Sequence, residues 1–212
     1  MRLSDPSNLL ASPVIPVLVI ERVADAAPLA RALLAGGLRT VEVTLRTAAA
    51  LDAVRAIIAE VPGIVVGVGT VTKVSEIGRA LDAGAQFLVS PGTPRELAEA
   101  FADAPVPAMP GCATTSEAMA LAALGFSVLK FFPAEVSGGI RWLNALVEPL
   151  PDIRFCPTGG VNADNAEVYL ALANVVAVGG SWVAPAEAIA AGDFARITAL
   201  AQTAARLTRR AD

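Results

Sequence analysis

The feature that most constrains the fold is an eightfold alternation of short β-branched runs with helix-like stretches. The runs begin near residues 14, 40, 64, 87, 107, 127, 154 and 175, so successive runs start 20 to 27 positions apart. Each run has the length of one strand, and each interval has room for one helix and its loops. This pattern predicts parallel strands that are joined by right-handed crossovers.

A helical pattern occupies each of the seven intervals between runs, and an eighth pattern follows the last run. These patterns cover residues 24–34, 48–60, 74–83, 94–102, 116–124, 140–148, 163–172 and 194–207. Eight βα units at this length predict an α/β fold, a single (β/α)8 TIM barrel over residues 1–212. A doubly wound open sheet is the alternative. The residues up to about Ser12 are predicted to form a short extra segment before the barrel.

Composition excludes several classes of partner. The net charge is −4 and the basic residues are scattered, so the chain lacks the basic patch that nucleic acid requires. The apolar run at residues 14–20 is too short and too interrupted by proline for a membrane span. Its two cysteines have no metal-ligand spacing and suggest no disulfide framework, which favours a reduced, cytoplasmic protein. A mean hydropathy of +0.60 is high for a monomer, so subunit contacts are expected to cover apolar surface.

Lys130 lies in an apolar segment, where a charged side chain is unfavourable. The chain has no histidine and only two lysines, Lys73 and Lys130, and Lys130 lies within the apolar run at residues 127–133. Lysine is depleted in strands and almost never fully buried unless it is paired. The absence of histidine excludes Ser-His and Cys-His nucleophile pairs and the common histidine-ligated zinc sites. We therefore interpret Lys130 as a working amine; the alternative is a lysine that reaches water from a strand end.

The residues that end each predicted strand form the candidate site, because catalytic groups of such barrels lie at the carboxyl ends of the strands. Glu42, Thr44 and Arg46 share one face of strand two by its two-residue period. If that face is inward, a carboxylate and a guanidinium point into the barrel; the alternative is a buried pair that serves only packing. Glycine-rich turns follow strands seven and eight, where this fold commonly binds phosphate. They contain Thr158, Gly159 and Gly160, and Gly179, Gly180 and Ser181.

Together these groups predict imine-based carbon–carbon bond chemistry without a metal or an organic cofactor. Lys130 would attack a ketone carbonyl, Glu42 would transfer protons, and Arg46 would hold a carboxylate.

Seven segments resemble the 2-keto-3-deoxy-6-phosphogluconate (KDPG) and 4-hydroxy-2-oxoglutarate aldolase family, the class I pyruvate aldolases of the Entner-Doudoroff route. They are Glu-Val-Thr-Leu-Arg-Thr at 42–47, Gly-Val-Gly-Thr-Val at 67–71, Gly-Ala-Gln-Phe at 84–87, Ser-Pro-Gly at 90–92, Lys-Phe-Phe-Pro-Ala-Glu at 130–135, Arg-Phe-Cys-Pro-Thr-Gly-Gly at 154–160 and Gly-Gly-Ser-Trp at 179–182. The resemblance extends from about residue 13 to residue 207.

The resemblance implies a role for each site residue. Lys130 would be the Schiff-base lysine and Glu42 the general acid–base. The substrate-binding residues would be Arg46, Thr70, Pro91, Phe132 and Thr158. The phosphate-binding residues would be Gly159, Gly160, Gly180 and Ser181.

The expected reaction is reversible cleavage of the phosphorylated 2-keto acid KDPG to pyruvate and glyceraldehyde 3-phosphate, a lyase activity. The alternatives are an aldolase for the galactonate epimer or for 4-hydroxy-2-ketoglutarate, and an inactive homo-oligomeric assembly subunit. The family is typically a homotrimer, so a homotrimer is expected. Two departures from the family pattern, Val68 and Cys112, remove no catalytic group, and we interpret both as packing residues.

Overall fold

A curled parallel sheet forms the centre of the computed structural model, which describes residues 12–208. Its strands are β1 (Val14–Leu18), β2 (Thr40–Thr44), β3 (Val65–Gly69), β4 (Phe87–Val89), β5 (Ala108–Met109), β6 (Gly111–Cys112), β7 (Val128–Phe131), β8 (Arg154–Pro157) and β9 (Val178–Gly180). They lie in the orders β5-β4-β3-β2-β1-β9 and β6-β7-β8, and every ladder is parallel.

Two seams join these ladders into a barrel. The predicted fifth strand is interrupted at Pro110, which has no N–H to donate, so β5 pairs with β4 and β6 pairs with β7. At the other seam, parallel bridges from Phe155 to Val175 and from Thr158 to Gly179 connect β8 with the β9 segment. The predicted barrel is therefore confirmed, and the alternative of an open sheet is not. The eight predicted runs form the strands of the barrel, and the fifth run is divided into β5 and β6.

Nine helices cover the outside of the barrel in the described part of the chain. They are α1 (Val23–Ala35), α2 (Ala50–Glu60), α3 (Val74–Asp82), α4 (Arg95–Ala102), α5 (Thr115–Ala123), α6 (Gly139–Ala145), α7 (Ala166–Leu170), α8 (Ala186–Ala191) and α9 (Phe194–Ala205). No helix within residues 12–208 has the length and apolar character needed to cross a membrane. The predicted extra segment, up to about Ser12, lies outside the described residues except for Ser12 itself.

Each predicted helix occurs at its predicted position, but some differ from the prediction in length. α6 and α7 end earlier than predicted, at Ala145 and Leu170, and the eighth strand begins at Val178 rather than near residue 175. Helix α8 was not predicted at all. It spans six residues between Pro185 and Gly192, which is too short for a helical period to appear in the sequence.

The apolar side chains separate into two layers. A large cluster lies between the sheet and the helices, and it includes Val68 and Cys112, so the structure agrees with their interpretation as packing residues. A small cluster joins alternate strand residues, among them Ile15, Phe87 and Cys156. Val128 packs against this small cluster and shares a strand face with Lys130. The small cluster therefore fills the barrel interior beneath the lysine.

Candidate active site

A buried ion pair lies at the centre of the barrel. The Nζ atom of Lys130 in β7 donates to Oε1 of Glu42 in β2 at 3.0 Å and to Oε2 at 3.3 Å. The two residues are 4% and 1% exposed, and they are 88 positions apart in sequence. Removing both charges from water costs several kcal/mol per ion, so stability alone is weak grounds for this pair. The structure thus brings together the predicted nucleophile and the predicted proton-transfer group, and it argues against a lysine that reaches water.

The carboxylate of Glu42 has its position because β3 carries no side chain opposite it. Gly69 is paired with Thr44 in the ladder, and a Cβ atom built on Gly69 would lie 2.0 Å from Oε1 of Glu42. Real Cβ atoms do not approach other heavy atoms so closely. Gly69 therefore provides the space in which Glu42 reaches Lys130, a role that the sequence pattern alone does not indicate.

A cavity of about 350 Å³ opens near the ion pair, and neither Lys130 nor Glu42 is among the residues that line it. Seven of the predicted site residues line it: Arg46, Phe132, Thr158, Gly159, Gly160, Gly180 and Ser181. The Nζ atom of Lys130 lies 5.4 Å from the centroid of the Phe132 ring, so the lysine adjoins this cavity through Phe132. The volume is in the range of small-molecule sites.

Arg46 reaches the cavity by a different route from the one predicted. Strand β2 ends at Thr44, so the two-residue period that places Glu42 and Thr44 on one face does not continue to Arg46. Arg46 lies in the following turn and is exposed, and it forms no ion pair with any residue from 12 to 208. The prediction of a shared strand face is wrong for Arg46, yet its guanidinium is available to an anion in the cavity.

Thr70 directly follows β3 and Pro91 lies two residues after β4; both are half-buried, but neither lines the cavity. Thr70 has φ 61°, and among the described residues it is the single non-glycine residue with positive φ. A β-branched residue adopts this conformation at a cost of about 1–3 kcal/mol, and such strain is most often found at functional sites. The strain supports the assignment of Thr70 to the site, whereas for Pro91 the structure adds only its place at a strand end.

The turn after β8 presents backbone rather than side chains to the cavity. Gly159 and Gly160 have φ values of 93° and 84°, a region that glycine occupies without strain. The N–H groups of Gly160, Val161 and Ser181 donate to no other residue in the described part of the chain. Unpaired N–H groups at the edge of a cavity bind anions, so this end of the cavity is suited to a phosphate.

Both cysteines are buried thiols. Burial, together with the smaller effect of the Glu117 charge, raises the pKa of Cys112 to about 12. Burial also raises the pKa of Cys156 to about 12, although the nearby Lys130 acts in the opposite direction. Neither thiol therefore supplies a thiolate nucleophile near neutral pH. No group of three or more His, Cys, Asp or Glu that could hold a metal ion occurs within residues 12–208.

Several cavity residues were not anticipated from the sequence. They are Val17, Val19, Val161, Ala184, Pro185, Ala186 and Ile189. Four of them lie at or beside α8, the helix that was missed, and the other three are ordinary apolar residues that follow the core pattern. Only the glycines around them gave a sequence signal for this side of the cavity.

The chain matches the family model for KDPG and KHG aldolase over residues 6–200. It is 47% identical over 201 residues to the KHG/KDPG aldolase of Escherichia coli K12, an alignment that covers 95% of this chain and 94% of that protein.

Solved structures agree with the sequence match. The chain is similar to the KDPG aldolase of Legionella pneumophila. The crystal structure of that protein has pyruvate captured as a covalent carbinolamine intermediate. The TM-score is 0.93 and the identity is 44%, over 95% of this chain and 98% of that one. It is also similar to the 2-keto-3-deoxy-6-phosphogluconate aldolase of Zymomonas mobilis with 3-phosphoglycerate, at a TM-score of 0.90 and 45% identity over 96% of both chains.

Proposed function

Because the chain belongs to the KDPG and KHG aldolase family, we propose that it cleaves 2-keto-3-deoxy-6-phosphogluconate reversibly to pyruvate and glyceraldehyde 3-phosphate through an imine on Lys130. The predicted family and the predicted aldolase class are confirmed by the relatives. The observation that carries the assignment of residues is the buried contact between Lys130 and Glu42 beside a cavity lined by Arg46.

The ion pair supports both halves of the proposed proton chemistry. An amine attacks a carbonyl only when it is neutral, and Glu42 at 3.0 Å can take the proton from the Lys130 ammonium directly. Nζ then adds to the ketone carbon, and Glu42 gives its proton to the carbinolamine hydroxyl, which leaves as water, so that the iminium forms and Glu42 is ionised again. Glu42 next removes the proton of the C4 hydroxyl, so that the C3–C4 bond breaks and the aldehyde departs. The remaining enamine is protonated at C3 and hydrolysed to pyruvate, which restores the amine.

The remaining predicted residues would hold the two ends of the substrate. The Arg46 guanidinium, free of internal ion pairs within the described chain, would bind the substrate carboxylate. Thr70, Pro91, Phe132 and Thr158 would contact the pyruvyl part. The turns at Gly159, Gly160, Gly180 and Ser181 would bind the phosphate through backbone N–H groups and one hydroxyl.

The proposed reaction is tested by measuring pyruvate release with lactate dehydrogenase and NADH. We expect turnover with KDPG to exceed turnover with its galactonate epimer and with 4-hydroxy-2-ketoglutarate. A higher kcat/KM for either alternative substrate would reassign the substrate within the family. Absence of turnover with all three, from folded protein, would favour an inactive assembly subunit.

Gly69→Ala is expected to lower kcat by about 100-fold, because the new Cβ would occupy the position of the Glu42 carboxylate. Gly78→Ala is the matched control, since a Cβ on Gly78 in α3 would meet nothing within 4 Å. The control should keep full activity and equal or higher stability. Unchanged kcat in Gly69→Ala would contradict the role of this glycine.

Ser181→Ala is expected to raise KM for KDPG by about 10-fold, because it removes a hydroxyl donor from the proposed phosphate site. Activity on 2-keto-3-deoxygluconate, the same sugar acid without phosphate, should stay within about twofold of the parent. Equal losses with both substrates would overturn the phosphate assignment.

Three expectations from the sequence remain proposals: a single domain over residues 1–212, a homotrimer, and a cytoplasmic location. Size-exclusion chromatography with light scattering tests the second, and the expected mass is about three times the 21.6 kDa of the chain. A monomer mass would contradict the homotrimer.

A further inference from the structure

Three carbonyl groups of the turn after β8 accept hydrogen bonds from neighbouring groups. The N–H of Ala134 donates to the carbonyl of Thr158 at 2.8 Å, and the N–H of Glu135 donates to that of Gly159 at 3.1 Å. The carbonyl of Gly160 accepts from Nδ2 of Asn165 at 3.1 Å and from Nδ2 of Asn162 at 3.4 Å.

These bonds also set the direction of the next N–H groups. In a planar trans peptide the carbonyl and the following N–H point in opposite directions. Holding the Gly159 carbonyl therefore directs the Gly160 N–H away from Glu135, and holding the Gly160 carbonyl directs the Val161 N–H away from Asn165. Both N–H groups belong to residues that line the cavity, and neither donates to another described residue.

The side chains of Tyr169 and Glu135 pack against this turn. The Tyr169 hydroxyl in α7 donates to Oε1 of Glu135, and Tyr169 is fully buried. The stem of Glu135 lies directly under Gly160, since a Cβ on Gly160 would be 2.4 Å from Cγ of Glu135. The start of α7 is tied to the same turn, because Oδ1 of Asn165 accepts the N–H of Asn162 at 2.8 Å.

A carboxylate beside a phosphate site opposes binding by like-charge repulsion, so Glu135 is a poor choice for direct contact. Its carboxylate is instead occupied by the Tyr169 hydroxyl, while its stem and its backbone N–H support the turn. The contacts of Glu135 thus fit a structural support for the turn rather than a ligand of the substrate.

We propose that Glu135, Tyr169 and Asn165 are positioning residues that hold the Gly160 and Val161 N–H groups toward the substrate phosphate. We call these three side chains the turn clamp. This inference rests on the proposed function, since it assumes that the turn binds phosphate. The turn clamp makes selectivity for phosphorylated substrates depend on residues that do not touch the phosphate.

The test uses Tyr169→Phe, which removes only the hydroxyl, and Asn165→Ala, which removes the shorter of the two amide hydrogen bonds to the Gly160 carbonyl and the acceptor of the Asn162 N–H. For each variant, kcat and KM are measured with KDPG and with 2-keto-3-deoxygluconate. We expect KM for KDPG to rise by about 10-fold in each, with kcat and the kinetics of the unphosphorylated substrate within about twofold. Val168→Ala, at an exposed position of the same helix, is the matched control and should match the parent.

Ser181→Ala separates the turn clamp from the phosphate site itself. If Ser181→Ala loses phosphate selectivity while Tyr169→Phe and Asn165→Ala keep it, the turn clamp is overturned and the phosphate site stands. If Ser181→Ala itself shows equal losses with both substrates, the phosphate site is wrong and the turn clamp falls with it. Equal losses with both substrates in the two clamp variants alone would indicate a general structural role and would also overturn the proposal.

Discussion

Lys130→Met is expected to lower turnover by more than about 10⁴-fold, because methionine fills the space of the lysine stem without a nucleophile. The coupled pyruvate assay measures this loss. Lys73→Met is the matched control, since Lys73 is the other lysine of the chain and is exposed. The control should keep parental turnover. Residual activity of Lys130→Met above about one hundredth of the parent would contradict a nucleophilic role.

The same substitution should also affect stability. Removal of Nζ leaves the Glu42 carboxylate buried without its ionic partner, which costs about 3–5 kcal/mol when the charge stays. Urea unfolding measures this cost. The double variant Lys130→Met with Glu42→Gln should recover much of the loss, because it removes both charges. A double variant that is less stable than either single one would contradict the expected coupling between the two charges.

Glu42→Gln is the second large effect, and turnover should fall by about 10²–10⁴-fold. Glutamine keeps the shape of the side chain but cannot accept the proton that Lys130 must lose or the proton of the substrate hydroxyl. The nucleophile remains, so a slow covalent adduct on Lys130 should still form with pyruvate.

The matched control for Glu42→Gln is Glu60→Gln. Glu60 forms its ion pair with Arg31 at the surface, where such pairs contribute little. This control should retain full turnover. If Glu42→Gln retained it as well, Glu42 would not be the proton-transfer group.

The barrel could be predicted because its pattern is local and repeated. Each strand is a short β-branched run, and each crossover contains its own helix, so eight weak signals add up to one topology. Lys130 and Glu42 emerged from the same pattern, since both are charged residues inside predicted strands. Their contact across the barrel, between β7 and β2, follows once the strands close.

The parts that could not be predicted depend on tertiary contacts or on short elements. Helix α8 has six residues, and the break at Pro110 becomes visible only when its two neighbouring strands are known. Arg46 looked like a strand residue because nothing in the sequence ends β2 at Thr44. The roles of Gly69 and Asn165 depend on one side chain and one carbonyl that lie elsewhere in the fold. Packing and backbone direction, rather than periodicity, determine these features.

The central claim is that Lys130 forms an imine with a 2-keto acid. It is tested most directly by incubating the protein with pyruvate and borohydride, and then by intact mass measurement and peptide mapping. Besides Lys130, the chain offers only two amines that could react, Lys73 and the N-terminus. We predict a single reduced adduct on Lys130. Folded protein without an adduct, or with an adduct on Lys73 instead, would contradict the account.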